Sequence, residues 1–140
     1  MSLSYLSHLQ CSGCGNTYPF EQIQTFCPAC QSPLLSIYAL DSVRKHVDRD
    51  EISHRQKGMW RWSPLLPVIN EENQISLGEG DTALLPLPHL EEELGLSHLF
   101  VKDESTNPTG SFKARGLAVA ISAHVLFPFA PICEAAHVGL

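Results

Sequence analysis

From Met1 to Leu40 the chain contains no lysine and no arginine; the first basic residue is Arg44. Nucleic-acid affinity rests largely on basic side chains that neutralise phosphates, so this stretch has nothing to offer a polyanion. The formal charge of −6 points the same way for the whole chain. No run approaches the roughly 18 apolar residues that cross a bilayer. The opening MSLSYLSHLQ also lacks the basic start and apolar core of a secretory signal. Neither GxGxxG nor GxxxxGK occurs, and there is no internal repeat or low-complexity tract. These absences lead us to expect a cytoplasmic protein with no nucleic-acid partner and no membrane partner. Apolar content of 44% and charged content of 17% are those of a globular chain. Its 140 residues suit one domain, or a small module plus part of a larger one.

Cysteine is sparse but patterned. Cys11-Ser-Gly-Cys14 and Cys27-Pro-Ala-Cys30 are two CxxC pairs separated by 12 residues. Two residues between cysteines let one tight turn aim both sulfurs at a single ion, and Gly15 can take the positive φ such a turn needs. A second turn on a facing hairpin completes a tetrahedral four-sulfur site, with Tyr18, Phe20, Ile23 and Phe26 as apolar residues between the turns. Two disulfides are the competing reading, but thiols of a chain that is not exported stay reduced. Residues 1–40 are therefore expected to form a zinc ribbon on Cys11, Cys14, Cys27 and Cys30. Four protein ligands leave no open position, so the metal holds structure and does not catalyse. Cys133 stands alone, and we read it as a small hydrophobe with no chemistry.

Residues 41–70 read as a connector. Asp41 is placed to cap a helix through Val43, Val47 and Ile52, with Arg44, Lys45 and Arg49 on its wetter face and His46 and His54 at the surface. Met59-Trp60-Arg61-Trp62, followed by Pro64 and Pro67, reads as an aromatic anchor that docks the connector onto a larger body.

Residues 71–140 then alternate helix and strand, as in an α/β domain with a mostly parallel sheet. Leu77-Gly78-Glu79-Gly80-Asp81-Thr82 is a turn leading into a short strand over 83–87. Pro88 to Leu94 predicts a helix with Leu90 and Leu94 inward, Glu91–Glu93 outward and Gly95 as its stop. Leu99–Lys102 predicts a strand, 103–110 a polar loop, and Phe112–Ile121 a largely buried helix.

Within this region Asn107-Pro108-Thr109-Gly110-Ser111-Phe112-Lys113 sets one lysine just inside a helix N-terminus, at the carboxyl end of a strand. An anionic cofactor can sit there on free backbone N–H groups, and the local positive field eases an ammonium toward the neutral, nucleophilic amine. A helix-start lysine is most often merely solvated. Here Phe112, Gly116, Leu117 and Ala120 put it beside apolar surface, and Asn107, Thr109 and Ser111 are good caps or anion donors. Lys102 is the competitor, but Asp103 and Glu104 beside it are expected to pair with it and keep it protonated.

Taken in order, the CxxC pairs, GMWRW with LLPV, SLGEGDT and LFVKDESTNPTGSFKARG resemble a known family. They are similar to the N-terminal part of zinc-ribbon-bearing threonine synthases, fold-type II enzymes dependent on pyridoxal 5'-phosphate. The likeness runs from about Cys11 to Ser122. It implies the ribbon followed by the beginning of a fold-type II catalytic domain, an incomplete parallel sheet with helices. It implies that Lys113 holds the cofactor through its amine and is the catalytic base. Phe112 would pack behind the ring, with Ser111 and Asn107 shaping the pocket. The substrate would be the small molecule O-phosphohomoserine, converted with water to threonine and phosphate, and a full-length form could be a homodimer.

Two departures qualify the likeness. Ala83 stands where the family carries proline. After Ser122, the stretch His124–Cys133 is apolar and broken by proline, unlike the expected continuation. The family's substrate-carboxylate loop, cofactor-phosphate loop and ring-nitrogen hydroxyl lie further on. We therefore expect a truncated chain, weak or inactive alone. Two other readings stay open: a non-catalytic ribbon module that docks onto a protein, and another fold-type II enzyme of amino-acid metabolism.

Overall fold

The computed structural model describes residues 3–22 and 24–124. Ile23, Cys133 and the His124–Cys133 stretch beyond residue 124 lie outside the described residues. Three strands come first: β1 Leu6–Cys11, β2 Thr17–Tyr18 and β3 Leu34–Tyr38. They pair antiparallel in the order β2-β1-β3, with Leu9 opposite Tyr18 and Ser36. The register shifts between Leu6 and His8, the signature of a bulge.

The connector is two short helices, not one. α1 spans Leu40–His46 and α2 spans Arg49–His54. Ala39 is the N-cap of α1 and gives no side-chain bond, so Asp41 does not cap it. The capping role falls to Asp48 at α2, whose carboxylate accepts the Asp50 N–H at 2.7 Å. That Asx cap explains the break: extended backbone at Val47 and Asp48 restarts the helix. His46 stacks on Tyr5, ring centroids 6.4 Å apart, and so tethers α1 to the segment preceding β1.

Met59–Leu65 is a 3₁₀ turn. Met59, Ser63, Pro64 and Val68 are buried, while Trp62 is half exposed. Of the two tryptophans expected to dock, Trp60 is half-buried and its indole N–H donates to the Ile75 carbonyl at 3.2 Å, while Trp62 stays at the surface. Residues 64–69 clasp the start of the chain. Leu3 N–H donates to the Ile69 carbonyl, Tyr5 N–H to Pro64 and the Ser4 hydroxyl to Leu66, at 3.1, 3.0 and 2.6 Å.

The last region holds β4 Leu84–Pro86, α3 Pro88–Leu94, β5 Phe100–Lys102 and α4 Lys113–His124. The mixed α/β organisation matches the sequence reading, and Gly95 ends α3 in the left-handed conformation as expected. The sense of pairing does not match. β4 and β5 are antiparallel, with Leu85 opposite Val101, and every pairing among the described residues is antiparallel. The seven-residue α3 with its tight Gly95 stop returns the chain beside β4 in the opposite direction, where a longer crossover is needed for parallel strands. Leu90 and Leu94 are exposed, not inward.

Candidate functional site

Two clusters collect the chemistry-bearing residues. In the first, β1 ends at Cys11 and its turn closes through the Gly15 N–H on the Cys11 carbonyl at 3.1 Å, with Gly15 at φ 75°. The second turn closes alike, the Gln31 N–H on the Cys27 carbonyl at 2.8 Å, with Gln31 at φ 60°. The two turns face each other. Cys11 Sγ lies 3.3 Å from Cys30 Sγ and Cys14 Sγ 3.6 Å from Cys27 Sγ, all four within 4.8 Å of one another. A tetrahedral four-sulfur site with ~2.3 Å bonds separates its sulfurs by about 3.8 Å, so the set has the dimensions of a metal cage. The Gly13 and Cys14 N–H groups point at Cys11 Sγ, and the Tyr18 hydroxyl sits 3.1 Å from Cys27 Sγ. That hydroxyl is the main reason the Cys27 thiol is lowered to about 6, toward the thiolate a metal needs.

The second cluster joins three motifs that are far apart in sequence. Asp81, after two positive-φ glycines, accepts the Gly58 N–H at 2.6 Å and pairs with Arg61 at 2.8 Å. Gly80 lies so close to the Gly58–Met59 backbone that a Cβ there would stand 2.6 Å from Met59 N. Glu79 is buried, which raises its carboxyl. The Ser76 hydroxyl and the Leu77 N–H outweigh that, and the net shift is downward. From the other side, Arg115 on α4 grips Glu104 with both prongs, at 2.7 and 2.8 Å. The same carboxylate accepts from the Thr82 hydroxyl and from Asn107 Nδ2, each at 2.6 Å. Asn107, only 5% exposed, spends its Oδ1 on the Gly80 N–H at 3.2 Å. A carboxylate with so many donors is strongly favoured in its charged form. Arg115 first, then Thr82, hold Glu104 down to about 2. Gly58, Arg61, Trp62, Asp81, Lys102, Glu104 and Arg115 line a shallow cleft of about 500 Å³ beside this network.

Lys113 opens α4, its N–H resting on Ser111 Oγ at 3.3 Å. The side chain is exposed, and so is Phe112 at 64%. The sequence reading placed both against buried surface; instead, among the described residues, α4 buries only Ala114, Ala118 and Ser122, one stripe at i, i+4 and i+8. Among the described residues nothing bonds to Lys113 Nζ. Lys102 is tied up, but not as expected. Its Nζ donates to the Thr82 carbonyl, while Asp103 caps the 104–106 turn and Glu104 belongs to Arg115. Of the expected cofactor residues, Ser111 and Lys113 touch, Asn107 lies in the network, and Phe112 stands apart in water.

Sequence reasoning missed the Glu104–Arg115–Thr82 network altogether. Its members lie 11 and 33 residues apart across loops, so no helical or strand spacing links them. The one available signal was a KDE triad followed by an arginine on a small-residue helix, since a charge near buried surface needs a partner.

Residues 75–136 match the family of pyridoxal-phosphate dependent enzymes. That match runs past Ser122, where the likeness read from motifs stopped. The chain thus carries a four-cysteine cluster followed by a segment similar to part of the pyridoxal-phosphate dependent enzyme family. Its particular likeness is to threonine synthase, as a partial chain. It is 40% identical over 113 residues to the threonine synthase of Methanocaldococcus jannaschii, covering 81% of this chain and 28% of that one. The threonine synthase of Methanosarcina acetivorans is 35% identical over 115 residues, 82% of this chain and 27% of its own. The chain therefore spans little more than a quarter of the length of these two relatives. No solved structure matches it.

Proposed function

We propose that this chain is the ribbon and opening catalytic segment of a threonine-synthase-type lyase of amino-acid biosynthesis. The reaction assigned is conversion of O-phosphohomoserine and water to threonine and phosphate, in the cytoplasm. The observation that carries the reading is Lys113. It begins a helix at the end of a loop braced by Asn107, and its amine has no partner among the described residues. That is the donor chemistry a pyridoxal aldehyde requires, so the residues present fit the amine-binding part of the cofactor.

Bound there, pyridoxal phosphate supplies an electron sink for charge that develops at the substrate carbons. The protein's part begins with Lys113 Nζ, which would hold the cofactor through its amine and would move protons at the substrate carbon. Ser111 fixes the first turn of α4 and so the origin of that side chain. Asn107 and Glu104 hold the preceding loop against Gly80 and Thr82, which keeps the lysine's helix in register with the 77–82 turn. Phe112 would offer a packing surface to the cofactor ring.

Cys11, Cys14, Cys27 and Cys30 are assigned to structural zinc. Residues 1–40, 41–70 and 71–140 are assigned to ribbon, connector and catalytic opening. The test uses this chain joined to the unmatched remainder of the M. jannaschii relative. Borohydride should fix pyridoxal phosphate to Lys113, and O-phosphohomoserine should release phosphate with formation of threonine. Lys113→Ala should abolish both. A fused protein that turns over without a lysine at 113 would sink the assignment.

A further inference from the structure

Four thiolates around a divalent zinc make a doubly negative centre. A charge held away from water needs a counter-ion or hydrogen-bond donors, and residues 1–40 contain neither lysine nor arginine. The burden falls on donors, and two kinds are present. Backbone N–H groups come with the CxxC turns themselves: those of Gly13 and Cys14 point at Cys11 Sγ, at 3.3 and 3.4 Å. The Tyr18 hydroxyl has another origin. It arrives from β2, nine residues before its partner, and lies 3.1 Å from Cys27 Sγ. Tyr18 is placed there by its pairing with Leu9 on β1, so the contact belongs to the sheet and not to the turn. Cys27 is also the most enclosed of the ribbon cysteines, at 0% exposure against 3% for Cys11, with Cys14 and Cys30 exposed. Its sulfur is the one that solvent serves least.

Metal binding would fix the direction of this contact. A free thiol and a phenol can each donate, but a thiolate that ligates a metal has no proton left. The hydroxyl must then donate and the sulfur accept. We propose that Tyr18 is a fifth member of the metal site: its hydroxyl donates to the Cys27 thiolate and so retains the ion in a ribbon that has no lysine or arginine. The proposal rests on the assignment of structural zinc above. Tyr18 touches a ligand and not the ion, which makes it a positioning residue. Packing of its half-buried ring is the competing role, and Tyr18→Phe separates the two, since it keeps the ring and removes only the oxygen.

The test uses the 140-residue chain and its Tyr18→Phe variant, each loaded with zinc or with cobalt(II). Zinc affinity, read by competition with a chromogenic chelator, should fall about 10- to 100-fold in the variant. The thiolate-to-cobalt charge-transfer band should move to longer wavelength, because a sulfur that has lost a donor gives up its electron more easily. A merely structural role would not move that band. Unchanged affinity, or a band that stays in place, would overturn the proposal. If Tyr18→Phe does not fold even with excess metal, the parent chain decides. Acetylation of its Tyr18 phenol by N-acetylimidazole, read by mass spectrometry, should be far slower with zinc bound than after chelation, and equal rates would overturn the proposal. A parent chain that retains no zinc removes the zinc assignment and the proposal together. A parent that holds zinc leaves that assignment standing whatever Tyr18→Phe does.

Discussion

The ribbon and the 75–124 region solve opposite problems. Residues 3–38 bury few apolar groups, yet the unit closes on itself: three paired strands, two matching turns and four sulfurs that converge. In 75–124 the buried residues are Glu79, Thr82, Asn107, Ala114, Ala118 and Ser122, all polar or small. Most of its large apolar side chains, from Leu77 to Leu117, are exposed, with Leu87 and Leu99 half-buried. One unit gathers four sulfurs where a core would otherwise be. The other has a polar interior that orders loops, with apolar faces exposed among the described residues. Local polar order can therefore be complete where hydrophobic closure is not.

Removing the metal should separate the two regions most sharply. Structural zinc contributes roughly 10–16 kcal/mol in isolated finger peptides, and this ribbon has little else to hold it. Chelation, or Cys27→Ser, should abolish amide-exchange protection across β1–β3 while α4 keeps its own. Protection of β1–β3 that survives chelation would show that the sheet needs no ion.

A single substitution made in each region gives the next effect. Gly80 has φ 108° and backbone at 2.6 Å from its would-be Cβ, whereas Gly15 at φ 75° has nothing within 4 Å. Gly80→Ala should cost on the order of 3 kcal/mol in urea unfolding, and Gly15→Ala about 1 kcal/mol. Equal costs would mean that the 77–82 turn can move away from Met59.

Glu104 gives the third. Its carboxyl is held down to about 2 from an ordinary 4.5, chiefly by Arg115. The folded form binds that proton less tightly than the unfolded one, so the stabilisation is full above about 4.5 and is lost as pH falls through that value toward 2. The urea midpoint should drop in that window, and Glu104→Gln should flatten the drop. An unchanged slope would remove Glu104 from the network.

What could be read in advance follows the range of the interactions. The CxxC turns, the Gly15 and Gly95 conformations, the two strands and the start of α4 are local, and each was visible in a few consecutive residues. Burial was not. Leu90, Leu94 and Phe112 carry an inward pattern, but a pattern names the side to be covered and not whether a covering body is present. The antiparallel β4–β5 pair and the Glu104–Arg115 grip depend on loop geometry, which spacing does not encode. Asp41 lost its cap because Ala39 entered α1 without one and Asp48 began a second helix.

The smallest expected effect bears most directly on the comparison. Lys113 is exposed, and Nζ is bonded to nothing among the described residues. Its removal should therefore leave the stability of the 140-residue chain within about 0.5 kcal/mol, as at other free surface sites. Differential urea unfolding of Lys113→Ala beside the parent measures this. A loss well beyond that would mean the lysine already supports the fold, and that α4's open face is not open in solution. If the stability is unchanged while the fused protein loses its borohydride-fixed cofactor, the two roles come apart. The lysine then contributes nothing to holding this segment together, and its whole value lies in the cofactor it would hold.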